Sequence, residues 1–275
     1  MLKSILTSGP VRRIKLAGKI VLNRERVVRG YTFFDDDIFL VSYPKSGNTW
    51  TRFLLANLVH ADRTVDLRTI ERLVPELYIN DDVELARAPR PRILKTHNAF
   101  DPRYRRVIYV VRDPRDVAVS YFHYAKKMGR SPDDETIEAF VERFILGRVD
   151  TFGSWGQNVG SWLGAREGQG DFIVVRYEDL IEDAMAQLDR IAEFLGQPRD
   201  RDRLERAIEL SSVDRLRSLE SKQGKDWKMA RHGDANRSFF RSGKSGGWRN
   251  ELPEPCARRI ARTWARQMAL VGYEP

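Results

Sequence analysis

Ile38-Phe39-Leu40-Val41-Ser42-Tyr43-Pro44-Lys45-Ser46-Gly47-Asn48-Thr49-Trp50 is the stretch that decides the fold. Its first six residues follow Asp35-Asp36-Asp37 and stop at Pro44. An uninterrupted apolar run bounded by turn signals reads as a strand buried on both faces. Pro44 to Asn48 is a tight loop. Thr49 to about His60 then carries Trp50, Phe53, Leu54 and Leu58 at helical spacing. The order is strand, glycine-containing loop, helix.

The pattern recurs along the chain. Arg92–Thr96 and Arg106–Val111 read as a second and third strand, the latter stopped by Asp113-Pro114. A helix is expected over Arg115 to about Lys127. Phe172–Tyr177 reads as a fourth strand, followed by a helix from about Glu182 to Leu195 that Gly196 ends. Doubly buried strands alternating with helices predict an open α/β fold with a mostly parallel sheet. Ligands of such sheets bind beyond the carboxyl ends of the strands.

Four clusters lie just past those strand ends. In Lys45-Ser46-Gly47-Asn48-Thr49, glycine lets backbone N–H groups turn toward an anion, the helix adds its positive end, and Lys45 a full charge. The loop lacks the G-x-x-x-x-G-K-[ST] pattern of the Walker sequence. Arg112 and Ser120 bracket the start of the next helix and suit a second phosphate, with ion pairing to Asp113 or Asp116 as the plainer reading of the arginine. Arg241-Ser242-Gly243-Lys244-Ser245-Gly246-Gly247-Trp248-Arg249-Asn250 has the glycines of a flap and the cations of an anion site. Lys95-Thr96-His97 places a lysine and a histidine two apart, and histidine is the usual general base near neutral pH.

Charge and length narrow the class. The 275 residues suit one large domain, and the net charge is +9. Most of that excess sits in residues 1–30, where eight lysines and arginines face Glu25 alone. The remainder is nearly balanced, which argues against a general nucleic-acid binder. This basic arm is expected to be a separate feature, and its interleaved apolar residues leave open a peripheral membrane contact. No apolar run reaches membrane-spanning length. The single cysteine, Cys256, excludes an internal disulfide and fits a cytoplasmic setting. No compact metal-ligand cluster is evident, so no metal is expected.

Together the four motifs, in order over roughly residues 36–250, resemble the PAPS-dependent sulfotransferases of the soluble type. PKSGNTW resembles their 5′-phosphosulfate loop, RDPRDVAVSYFHY their 3′-phosphate motif, KTH their Lys-Thr-His, and RSGKSGGWRN their C-terminal signature. The resemblance implies a P-loop-NTPase-like three-layer sandwich over residues 31–275. It implies PAPS (3′-phosphoadenosine-5′-phosphosulfate) as co-substrate and transfer of its sulfuryl group to an acceptor hydroxyl or amine. It implies His97 as base, Lys45 and Lys95 as charge stabilisers, and Lys45, Ser46, Gly47, Asn48 and Thr49 around the 5′-phosphosulfate. Arg112, Ser120, Arg241, Ser242 and Gly243 would take the 3′-phosphate. Trp50, Tyr177, Ser211 and Val213 would contact the adenine.

Three residues depart from the family pattern. Ser242 stands for a lysine, Gly247 for the aspartate before Trp248, and Val213 for a phenylalanine. They put the phosphate clamp, the flap anchor and one stacking face in doubt. The family's dimer motif has no match, which leaves the oligomeric state open. A P-loop kinase is the alternative, and the missing Walker pattern counts against it. A weak binding module acting through the arm is a third reading, opposed by intact Lys45, Lys95 and His97. Segments 61–91 and 123–165 are expected to supply acceptor-pocket walls, with most of their aromatics serving as core, and an apolar pocket would favour a small-molecule or lipid-like acceptor.

Overall fold

The computed structural model describes residues 31–275 except 230–232, 235 and 242. The basic arm and Ser242 therefore lie outside the described residues. Four parallel strands, β1 (Ile38–Ser42), β2 (Ile93–Thr96), β3 (Arg106–Val111) and β4 (Phe172–Arg176), form a sheet of order β2-β1-β3-β4.

Alternate side chains of each strand enter two separate cores. Phe39, Val41, Leu94, Val107, Tyr109 and Val111 pack against α4 (Pro114–Lys127), α5 (Ile137–Ile145), α6 (Trp155–Arg166) and α12 (Glu254–Thr263). Ile38, Leu40, Ile93, Ile108, Val110 and Val175 pack against α1 (Asn48–Val59), α8 (Ala184–Leu195), α9 (Arg201–Leu210) and α10 (Val213–Gln223). The expected three layers follow from that alternation. Short helices α2 (Ile70–Leu73), α3 (Asp82–Ala86), α7 (Tyr177–Glu182), α11 (Trp248–Glu251) and α13 (Ala265–Leu270) fill the connections. Among the described residues, no helix is long and apolar enough to cross a membrane.

The helix expected from about Glu182 begins at Ala184, and a separate short helix, α7, precedes it from Tyr177. Asp183 closes α7 and caps α8, its carboxylate accepting from Ala186 N. That side-chain acceptor offers the backbone an alternative to a continuous helix. The terminal basic stretch divides at Trp264, whose buried indole lies 5.2 Å from the Phe144 ring and 5.5 Å from Trp155. Phe140, Phe144, Trp155 and Trp162 are likewise core. Gly196 ends α8 in the left-handed conformation, as read from the sequence.

Candidate active site

Register alone assembles the site. Val41 pairs with Thr96 and with Tyr109, and Val111 with Arg176. The residues just past these pairs, His97, the Tyr43–Gly47 loop, Arg112 and Tyr177, therefore stand side by side along one sheet edge. They surround a cavity of about 460 Å³ that is also lined by Asn48, Thr49, Trp50, Ser120, Val213, Arg241 and Gly243. Its end at Lys45 and Arg112 lies at the switch point between β1 and β3, where open α/β sheets hold their ligands.

The loop is strained and tightly specified. Lys45 takes φ 69° and Gly47 φ 92°, which turns successive N–H groups toward one concave side. A Cβ on Gly47 would sit 2.2 Å from Tyr177 Cδ2. The first intrahelical bond of α1 is Thr51 N to Gly47 O, leaving the N–H groups of its first turn to meet a ligand. Ser46, by contrast, is fully buried, with an Oγ that has no partner, and does not line the cavity. Any contribution it makes comes from its backbone.

Arg112 ties three parts of this end of the cavity together. It donates to Lys244 O at 3.0 Å and to Lys45 O at 3.5 Å, and its guanidinium lies 4.3 Å from the Tyr177 ring centroid. Its Nε is buried without a partner. Trp50 stands edge-on to Tyr177, ring centroids 5.8 Å apart, and is fixed by Nε1 donating to Ser211 O at 3.0 Å. Ser211 itself is fully buried and its Oγ accepts from Asn57 Nδ2. Its carbonyl thus holds the Trp50 indole while its hydroxyl faces Asn57. Val213 lines the cavity and packs against Gly243, where a Cβ would come within 2.4 Å of Val213 Cγ2.

The flap has an anchor that the motif comparison missed. Asp116, buried on α4, accepts from Gly246 N at 2.7 Å and from Trp248 N at 3.0 Å. It does the holding that the glycine at 247 cannot. Bonds to a carboxylate are stronger than neutral ones, so Asp116→Ala is expected to cost about 2–3 kcal/mol. Thermal unfolding would show a Tm fall of about 5 °C or more. Unchanged Tm and unchanged amide exchange at Gly246 and Trp248 would remove the anchor role. Lys244 is exposed and does not line the cavity, and it meets Arg112 through its carbonyl. Arg241 lines it while pairing with Glu251, which also meets His123.

At the other end, His97 Nδ1 lies 2.8 Å from Ser42 O. A carbonyl only accepts, so Nδ1 carries the proton and Nε2 keeps its lone pair. Burial, then the charge of Lys95, holds the ring well below its ordinary pKa. It is therefore a neutral base near pH 7. Tyr78 and Phe152 flank it, and Tyr78 Oη accepts from His97 N at 2.9 Å.

The two lysines differ from their expected form. Lys95 is buried and 2.5 Å from Glu76 Oε1, so it is half of a neutral pair rather than a free cation. Glu76 escaped the sequence reading because only a tertiary contact gives it meaning. Lys45 Nζ rests 4.3 Å from the Tyr124 centroid and 4.6 Å from that of Phe239. Burial first, then the charges of Arg112, Lys95 and Arg241, lowers its pKa to about 7.

Residues 35–272 match the family described as sulfotransferase domain. The chain is 31% identical over 252 residues to Cytosolic sulfotransferase 12 of Arabidopsis thaliana, covering 83% of this chain and 76% of that one. It superposes on mouse sulfotransferase SULT7A1 complexed with PAP with a TM-score of 0.74 at 28% identity, covering 90% and 91% of the two chains. Retinol dehydratase in complex with androsterone and inactive cofactor PAP shares the fold, with a TM-score of 0.72 at 21% identity and coverage of 90% and 85%.

Proposed function

The chain belongs to the sulfotransferase family and is a PAPS-dependent enzyme of sulfuryl transfer, and from that premise we propose how its residues divide the work and what acceptor they admit. The observation that carries this reading is the strand register, which brings His97, Lys45, Arg112 and Tyr177 around one cavity. The nucleotide fits what is present. Arg112 has a buried Nε without a partner, and the first-turn N–H groups of α1 have no intrahelical acceptor.

Lys45, the backbone of 46–49 and the N-terminus of α1 hold the 5′-phosphosulfate. Arg112, Ser120, Arg241 and Gly243 hold the 3′-phosphate. Trp50, Tyr177 and Val213 border the adenine. PAPS, when bound, supplies the electrophilic sulfuryl group and a bisphosphate leaving group. Transfer of this kind resembles phosphoryl transfer, where positioning and charge stabilisation account for most of the catalysis. His97 Nε2 takes the proton of the acceptor hydroxyl. Lys45 compensates charge at the loop, and Lys95, kept in place by Glu76, offers an N–H donor without adding net charge. The acceptor lies between Tyr78, Phe152, Tyr124, Phe239 and Phe240, which suits a small molecule with an apolar body. The cytosolic relative and the lone cysteine support a cytoplasmic setting.

Calorimetric titration with adenosine 3′,5′-bisphosphate (PAP), ATP and AMP tests the nucleotide assignment. PAP is expected to bind tightest, and Arg112→Ala to weaken it at least tenfold, since charged hydrogen bonds are worth about 1.5–3 kcal/mol. Equal or tighter binding of ATP would overturn the assignment.

Lys45 gives a pH signature. With a pKa near 7 it loses its charge in the free protein as pH rises through that value. A bound anion favours the charged form. PAP binding above pH 7 is therefore expected to take up a proton and to weaken toward pH 8.5. Binding enthalpies at pH 8 in buffers of different ionisation heat report the uptake, and identical enthalpies would contradict it.

A further inference from the structure

Arg130 stands apart from every other cation around the cavity. Lys45, Arg112 and Arg241 belong to the nucleotide end. Lys95 is neutralised by Glu76 at 2.5 Å, and Lys228 pairs with Glu84 at 3.1 Å. Arg130 lines the cavity just past the end of α4, beside Met128. Among the described residues its side chain has no carboxylate or carbonyl partner, and its guanidinium meets only the Tyr124 ring at 5.6 Å. Glu76 is the one carboxylate among the described residues lining the cavity, and Lys95 already engages it. The cavity thus carries, at Arg130, a positive charge that the described residues leave uncompensated.

Geometry limits what could answer that charge. Lys45 Nζ lies 4.3 Å and Arg130 Cζ 5.6 Å from the same Tyr124 centroid. The two cations are therefore at most about 10 Å apart. The wall between them is aromatic, from Tyr124 and Phe239.

We propose that the acceptor is a compact hydroxy acid: a hydroxyl presented to His97, an apolar or aromatic body along Tyr124, and a carboxylate held by Arg130. The proposal rests on the sulfotransferase reading of the cavity. Guanidinium matches carboxylate in a two-pronged fork, which makes arginine rather than lysine the fitting group. Because Arg130 is exposed, the interaction is worth a modest factor, about fivefold.

The test uses two phenols that differ in one group, 4-hydroxyphenylacetate and 4-methylphenol, titrated by calorimetry into the enzyme–PAP complex. Wild-type enzyme is expected to bind the carboxylated phenol about fivefold tighter. Arg130→Gln is expected to abolish that preference while leaving the affinity for 4-methylphenol unchanged. Equal binding by wild type, binding of neither phenol, or a preference that survives Arg130→Gln overturns the proposal. The initial PAP titration separates this from failure of the underlying reading. Tight PAP binding without a carboxylate preference removes only the hydroxy-acid proposal, whereas no PAP binding removes both.

Discussion

Replacing His97 with alanine is expected to lower kcat by about 10²–10⁴-fold while leaving the affinity for PAP within twofold of wild type. The ring sits at the end of β2, with Nδ1 committed to Ser42 O, so Nε2 is the nitrogen free to accept a proton. None of the cations assigned to the nucleotide depends on the imidazole for its position. A kcat loss without a binding loss is therefore the pattern that separates a base from a structural residue. The pH profile adds a second check. The ring pKa lies well below its ordinary value, so its own titration should leave activity flat from pH 6.5 to 8 and reduce it only in more acid solution. A steep rise in kcat between pH 6 and 7 assigned to this ring, or a simple collapse of PAP binding in His97→Ala, would refute the role.

Gly47→Ala is expected to weaken PAP binding by about two orders of magnitude. Two costs combine at this position. A non-glycine residue in the left-handed region pays about 1–2 kcal/mol. The added Cβ would also fall 2.2 Å from the ring of Tyr177, and overpacking of that kind costs about 1–3 kcal/mol. A total near 3 kcal/mol corresponds to about 150-fold. The ring can escape only by moving away from Arg112 and Trp50, which disturbs the adenine border as well as the phosphate loop. The companion Tyr177→Ala/Gly47→Ala double variant separates the causes, since it keeps the backbone strain and removes the clash. It is expected to lose less than the two single variants combined. Full additivity would contradict the contact.

The sheet and the phosphate loop were legible because local pattern determined them. The runs at 38–42, 93–96 and 106–111 are buried on both faces as their unbroken apolar character requires, whereas the run at 172–176, at the sheet edge, is only half-buried on one face. The order of the strands was not legible, because pairing between β1 and β3 is set by distant residues and leaves no periodic trace. The same limit explains the site residues that were missed. Asp116 looked like an i,i+4 partner of Arg112, yet that separation is 3.8 Å while its closer bonds reach residues 246 and 248. Glu76 sits in a loop sequence with no motif and acquires its role only beside Lys95. Ser211, which the resemblance places at the adenine, is fully buried with its hydroxyl toward Asn57. A motif identifies which backbone approaches a ligand; packing decides which way a short side chain points.

Tyr273 Oη donates to Glu178 Oε2 at 2.5 Å, and Glu178 Oε1 accepts from Asp113 N at 3.1 Å. Arg115, beside them, donates to Glu274 O. The neighbours of Arg112 and Tyr177 are thus tied to a segment synthesised long after the phosphate loop. At ribosomal rates, the helix after that loop is complete about 10–40 s before residue 273 is added. Through that interval the nascent chain has its phosphate loop but not the contacts that steady its nucleotide end. Cofactor binding is therefore expected to act as a late seal on a finished fold, not as a template for the folding of its first half.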